Sequence, residues 1–365
     1  MAHCIINLDA IRHNFQVVKS NIKSKICAVI KADAYGHGLV QTARALKDAD
    51  CFGVARACEA LALREANIKN DILLMGGFED DYILKELIKN NVILSIHSEE
   101  ELNILSSAVK DYSNKIRIHI KVDSGMRRLG VTDQKSLKNI LKKIYESKNI
   151  QIESVYTHYA TSDWDVSFLE EQYNNFLNLT ADLKYPKHSA NSAAIFQDKK
   201  YHMDMVRAGI ILYGYINNPE LTAFDGNKVR GLIKPAMSIY ADILQIKTLE
   251  AGEYIGYDKG YQAKRPSKIA IISIGYGDGY PRLVNKGYVI IKNKKCKILG
   301  KVCMDLTAVD ITDVPNVSYQ DKAEILGKNI GADVVARWNK TISYDILCSG
   351  TKRIKKTWIG LDGET

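Results

Sequence analysis

"CAVIKADAYGHG", residues 27–38, decides the reading of this chain. Ala28 to Lys31 read as a buried strand that runs into a charge, followed by Asp33, Tyr35 and His37 among small residues. A buried amine needs a partner or a task, because a charge taken from water without compensation is costly. The next stretch, "GLVQTARALKDA" (38–49), has helical spacing, so the segment reads as strand, polar turn, helix.

Working outward, the same alternation recurs. Strand-like runs are "ICAVIKA" (26–32), "FGVA" (52–55), "ILLMG" (72–76), "VILSI" (92–96), "IRIHIKVD" (116–123), "IESVYTH" (152–158), "KHSAN" (187–191) and "MVRAGI" (205–210). Amphipathic stretches lie between them; in "EEELNILSSAVKD" (99–111), Leu102, Leu105 and Val109 fall on one helix face. Eight strands alternating with helices predict a parallel α/β sheet closed as a (β/α)₈ TIM-type barrel. A doubly wound open sheet fits less well, since no G-x-G-x-x-G follows the first strand. From about residue 230 the texture changes to strand-like runs with Gly, Pro and Asn-Lys turns, such as "AMSIYADILQIKTL" (236–249) and "GYVIIKNKKCKIL" (287–299). The expected organisation is a barrel over 1–230 and a mostly β C-terminal domain over 231–365.

Composition narrows the function classes. The chain has 365 residues, 46% hydrophobic and 25% charged, with a net charge of +9. Its lysines are dispersed, with no basic tail and no arginine–aromatic interleaving, which argues against nucleic acid as a partner. Seven cysteines, with no C-x-x-C pair, read as small core residues in a reducing compartment. No apolar run approaches the about 20 residues that span a bilayer. The expectation is a cytoplasmic protein that engages neither membrane nor nucleic acid.

In a barrel of this kind the active site gathers at the C-terminal ends of the strands. Lys31, Lys121, Asp123, Arg128, His158, Asn191, Ser192 and Arg207 fall there, with Gly209 and Ile210 just after the last strand. Actual and potential cations outnumber the one carboxylate, so the site suits an anionic, phosphorylated ligand. Two readings of Lys31 stand open on these residues: a snorkelling strand-end lysine, or a Schiff-base lysine activated by burial and neighbouring cations. Ser192 with the N–H groups of Gly209 and Ile210 forms either a phosphate site at strands seven and eight or a plain turn.

Taken together, "AVIKADAYGHG", "KVDSGMRRLG", "YTHYATSD", "HSANSAA", "MVRAGIILYG", "IGYDKGY", "IGYGDGYPR" and "GKVCMDLTAVD" resemble the alanine racemase family. The resemblance runs from "LDAIRHN" (8–14) to "TISYDILCSG" (341–350). It implies pyridoxal 5'-phosphate as cofactor, alanine as substrate, and a head-to-tail homodimer with shared active sites. It also implies a role in supplying D-alanine for peptidoglycan. By the same resemblance Lys31 would carry the cofactor and act as one base, and Tyr257 of the other subunit would act as the second. Tyr35, Ser192, Gly209 and Ile210 would hold the phosphate. Arg207 would face the pyridine nitrogen, supported by His158. Arg128 would contact the cofactor's phenolic oxygen and the substrate carboxylate, and the Met304 backbone N–H would bind that carboxylate too. Tyr276, Asp163 and Arg282 match positions at the substrate entrance. Lys121 matches a lysine that is often carbamylated and then orients Arg128.

The chemistry explains these residue types. Racemisation removes a proton from one face of the α-carbon and returns it on the other, so two bases are wanted. Amines and phenols ordinarily titrate near 10, and nearby cations must lower them. Arginine does not give up its proton, so Arg207 would leave the ring nitrogen unprotonated and disfavour a long-lived carbanion. Decarboxylases of this barrel type normally place a carboxylate there. A metal-dependent D-threonine aldolase wants a histidine in the C-terminal domain, and none lies beyond His202. A broad-specificity racemase and a non-catalytic cofactor carrier are the remaining alternatives; the added domain bearing Tyr257 weighs against the carrier. Lys355-Lys356 stands where the family usually has Pro-Arg, and Arg127 where a small or polar residue is usual. The tail "KKTWIGLDGET" (355–365) is assigned no role.

Overall fold

A computed structural model describes residues 1–360 except 79, 111, 113, 351 and 352. Residues 361–365 of the off-pattern tail therefore lie outside the described residues. The chain divides into two units. One holds Ile11–Ala34 and Gly38–Lys234; the other holds Met1–Ala10, Tyr35–His37 and the chain from Pro235 onward.

The first strand, β1 (His3–Asn7), belongs to the second unit. The barrel follows: β2 (Lys25–Val29), β3 (Cys51–Val54), β4 (Asp71–Leu74), β5 (Ile93–Ile96), β6 (Ile116–Lys121), β7 (Ile150–Tyr156), β8 (Lys187–His188) and β9 (Met205–Ala208). These eight parallel strands close on themselves, with β9 pairing back to β2 so that Arg207 lies opposite Cys27. The expected barrel is present, and each predicted run overlaps one strand. Most of the strands stop short of the residues expected to end them; β2, β6, β7 and β8 end at Val29, Lys121, Tyr156 and His188, so Lys31, Asp123, His158 and Ser192 sit in the turns beyond.

The helices between strands start where the sequence offers an oxygen. Asp80, Ser98, Asp133 and Asp165 each accept a hydrogen bond from the backbone N–H three residues on. Leu102, Leu105 and Val109 are buried, as their spacing requires. Inside the barrel Cys27, Cys51, Leu73, Ile93 and Met205 form one apolar cluster, with Met75 against it.

The second unit is built on β10 (Met237–Leu249), β11 (Tyr254–Ile255), β12 (Tyr261–Gln262), β13 (Ser267–Ile272), β14 (Tyr288–Ile291), β15 (Lys294–Leu299), β16 (Thr307–Asp310), β17 (Lys322–Leu326) and β18 (Lys355–Ile359). Pairings run β10–β13–β16–β15–β14–β17 and back to β10, a ring, with β1 and then β18 added beside β10. Irregular register at Ile239/Tyr240 and Ile243/Gln245 lets the long β10 change partners along its length. A division at residue 230 does not anticipate β1, which runs antiparallel to β10 and parallel to β18. The tail given no role thus begins with an edge strand, where Lys355 suits an exposed sheet margin.

Candidate functional site

The turn after β2 carries Lys31. Ala32, Asp33 and Ala34 all take left-handed backbone angles, with φ of 54°, 53° and 53°, and Tyr35 follows at 53°. Such a turn is costly for L-residues, at about 1–2 kcal/mol each. It re-aims the chain directly after Lys31. In the other unit, Tyr35 is buried and packs on Tyr344 with ring centroids 5.7 Å apart; burial pushes its phenol up.

Arg207 lies at the barrel mouth and is only 3% exposed. Its guanidinium lies 2.7 Å from His188 Nδ1 and donates to the carbonyls of Thr157 at 2.6 Å and Ser189 at 2.9 Å. His158 Nδ1 is 3.5 Å away, and the Tyr156 ring centroid 5.2 Å. Because arginine only donates, His188 Nδ1 must accept. His188 Nε2 then carries the proton toward His119 Nδ1 at 3.0 Å. One guanidinium thus fixes the tautomer of two rings in series. The His188 ring also stacks on Tyr156, 4.7 Å away, and Tyr156 hydroxyl meets Ser95 at 2.9 Å. Burial and then its charged neighbours Arg117 and Arg207 bring His119 down to about 3. Burial and the same Arg207 hold His188 well below its usual range.

His158 is held neutral by burial, followed by Arg207, Arg128, Lys121 and Lys31. Lys121 is buried and donates to the Leu129 carbonyl at 3.0 Å. Burial, then Arg128, Arg207 and Lys31, against Asp123, bring its ammonium down to about 8. Burial alone would raise the Asp123 carboxyl. The N–H groups of Arg127 (3.0 Å), Gly125 (2.9 Å) and Arg128 (2.8 Å), with Lys121, outweigh it and keep it ionised. Gly130 closes this loop at φ 121°, where an added Cβ would meet Asp123 N at 2.8 Å. Arg128 itself is exposed.

Ser192 Oγ accepts from Gly209 N at 3.0 Å and lies 3.4 Å from Ile211 N. A short 3₁₀ turn begins at Ile210. Asp163 is half-buried. Its carboxylate lies 3.3 Å from Asn217 Nδ2, and burial raises its pKa against that contact. Lys31, Lys121, Arg128, His158 and Arg207 thus act on one another electrostatically at one mouth. Their balance is cationic, the donor set that a phosphorylated ligand wants. Among the described residues no group of three or more His, Cys, Asp or Glu side chains could hold a metal ion.

The second unit carries the other expected residues. Tyr257 is 67% exposed, on a turn with left-handed Asp258 and Lys259 that is pinned by the Asp258–Lys301 ion pair. Tyr276 is 40% exposed, with the Arg282 guanidinium 5.8 Å from its ring. Met304 is 52% exposed. Sequence reasoning missed His119, Tyr156 and His188 as supports of Arg207. For His119 the signal was present: it lies two residues before Lys121 on β6, and period two puts that pair on one strand face.

Comparison with known proteins gives the family. The family model described as the alanine racemase N-terminal domain matches residues 6–217, and that of the C-terminal domain matches 236–358. Alanine racemase of Methanococcus maripaludis is 35% identical over 369 residues, covering 97% of each chain. Alanine racemase of Clostridium difficile superposes with a TM-score of 0.91 at 32% identity, covering 98% of this chain and 95% of that one. The Bacillus anthracis alanine racemase solved with bound L-Ala-P gives 0.89 at 32% identity, covering 100% and 96%. The chain belongs to the alanine racemase family and is an isomerase that racemises alanine.

Proposed function

We propose that this enzyme interconverts L- and D-alanine with pyridoxal 5'-phosphate by a two-base mechanism, in the cytoplasm, and so supplies D-alanine for peptidoglycan. One observation carries the cofactor reading: a permanently charged donor, Arg207, is fixed by His188, Thr157 and Ser189 under a cationic mouth that begins at Lys31. When bound, the cofactor supplies the electron sink that acidifies the α-proton of alanine. Lys31 would hold it covalently, and Tyr35, Ser192, Gly209 and Ile210 its phosphate.

Arg207 would donate to the ring nitrogen and so leave it without a proton of its own, and neutral His158 would support Arg207 there. Lys31 and Tyr257 would each move one proton, on opposite faces of the α-carbon. Arg128 and the Met304 N–H hold the substrate carboxylate, while Tyr276, Asp163 and Arg282 guard the approach. Lys121, carbamylated, turns a repulsion of two cations into an attraction that orients Arg128.

Lys31 and Tyr257 belong to different units, which fits a two-fold homodimer whose sites draw on both chains. The test of the cofactor site is borohydride reduction of the holoenzyme followed by peptide mass spectrometry. The label is expected on Lys31; a label on another lysine overturns the assignment. Chiral chromatography of a panel of L-amino acids then separates an alanine-selective enzyme from a broad one.

A further inference from the structure

Two loops of the second unit are zipped together by their backbones. Tyr276 N donates to Cys303 O at 3.0 Å and Gly277 N to Met304 O at 2.8 Å. The approach is so close that a Cβ on Gly275 would sit 2.3 Å from both the Cys303 and the Met304 carbonyl oxygens. Asp278, buried in the first loop, turns one carboxylate oxygen back onto Gly275 N at 2.9 Å. Its other oxygen faces Arg353. Arg353 Nε is 3.1 Å and Nη2 3.0 Å from Asp278 Oδ1, and Nη2 is 2.7 Å from Asp305 Oδ1. A Cβ on Gly277 would lie 3.0 Å from Arg353 Nη1 and 3.0 Å from Met304 O, so the guanidinium covers the seam between the loops.

We propose that Arg353 is a positioning residue for the substrate entrance: its guanidinium, shared between Asp278 and Asp305, sets the spacing of the loops that carry Tyr276 and Met304. The proposal rests on the reading of Tyr276 and Met304 given above. An isolated surface ion pair holds little. Here one cation serves a buried carboxylate from one loop and an exposed one from the next. Removing it leaves Asp278 buried without counter-charge, and hydrating that carboxylate requires the loops to part. The planar fork matters, because a lysine ammonium is a single point charge without the fork's fixed pair of donors. Arg353 touches neither proposed base, so its loss alters how substrate is received more than how protons move.

The test compares steady-state alanine racemisation by the holoenzyme of wild type, Arg353→Gln, Arg353→Lys, Asp305→Asn and Tyr276→Ala. Arg353→Gln is expected to raise KM about tenfold with kcat within about twofold. Arg353→Lys should fall between wild type and Arg353→Gln. Asp305→Asn, which cuts one arm and leaves Asp278 paired, should raise KM less and serves if Arg353→Gln does not fold. A fall in kcat with unchanged KM and a lowered melting temperature would reduce Arg353 to a structural tie and overturn the proposal. So would an unchanged KM in the Arg353 variants when Tyr276→Ala raises it. If Tyr276→Ala also leaves KM unchanged, the reading of the entrance fails first and takes the proposal with it.

Discussion

At the scale of single residues, the site is a problem of crowded positive charge, and two groups show how it is managed. Arg207 stays charged because it has nowhere to lose its proton and four groups to hold it. Replacing it by glutamate would place an acid where the proposed cofactor's ring nitrogen is expected, which would keep that nitrogen protonated and deepen the electron sink. Arg207→Glu is expected to slow racemisation about 100-fold. It should also release pyruvate through side transamination, read by a coupled lactate dehydrogenase assay. Cofactor retained with no pyruvate formed would remove Arg207 from that role. Lys121 yields instead. With its ammonium brought down to about 8, an appreciable fraction is neutral amine at neutral pH, the form that reacts with carbon dioxide. Nuclear magnetic resonance in isotopically labelled bicarbonate should therefore show one carbamate carbonyl signal that Lys121→Ala abolishes. These residues were legible in the sequence because chemistry-bearing types cluster at strand ends. Arg353 was not: it stands outside every motif, and its partners Asp278 and Asp305 lie far from it along the chain.

At the scale of elements, the barrel strands could be read because each is a short β-branched run closed by a polar residue. Their ends could not, since the same lysine or histidine serves either as the last ladder residue or as the first of the turn. The left-handed turn from Ala32 to Tyr35 was also invisible, as none of its residues is glycine. Its backbone is imposed by the structure around it and carries strain that glycine would not. At the exposed Ala32, glycine removes an αL penalty of about 1–2 kcal/mol and adds about 0.5–1 kcal/mol of chain entropy. Ala32→Gly should accordingly raise unfolding stability by about 0.5–1 kcal/mol in urea titration. A loss of stability would mean that the alanine methyl is itself held in a packed contact.

Across the whole molecule, the buried histidines make stability depend on pH. His119 titrates at about 3 in the folded state against 6.5 when unfolded, and His158 and His188 move in the same direction. Between those values the unfolded chain binds protons that the folded chain refuses, so stability rises with pH and is lost as pH falls from 6.5 toward 3. Unfolding near pH 5.5 should take up protons through these groups, about one fewer in His119→Gln, as measured by calorimetry in buffers of different ionisation enthalpy. The two-domain outline was legible from texture, but the place of the first residues was not. Five residues before a helix carry too weak an alternation to announce a strand, and their partners lie beyond residue 230. That placement puts a clock on assembly. During synthesis β1 emerges ahead of the barrel, with Cys4 and Ile6 destined for complete burial, yet β10 follows it by over two hundred residues. At about 5–20 residues per second the wait is on the order of ten to fifty seconds. The barrel segments pass through the ribosome in that interval, and β18, the parallel neighbour of β1, emerges only after β10. A nascent chain arrested near residue 234 should therefore lose its first ten residues to protease, whereas the finished enzyme keeps them: the segment made ahead of the barrel is among the last to find its partners.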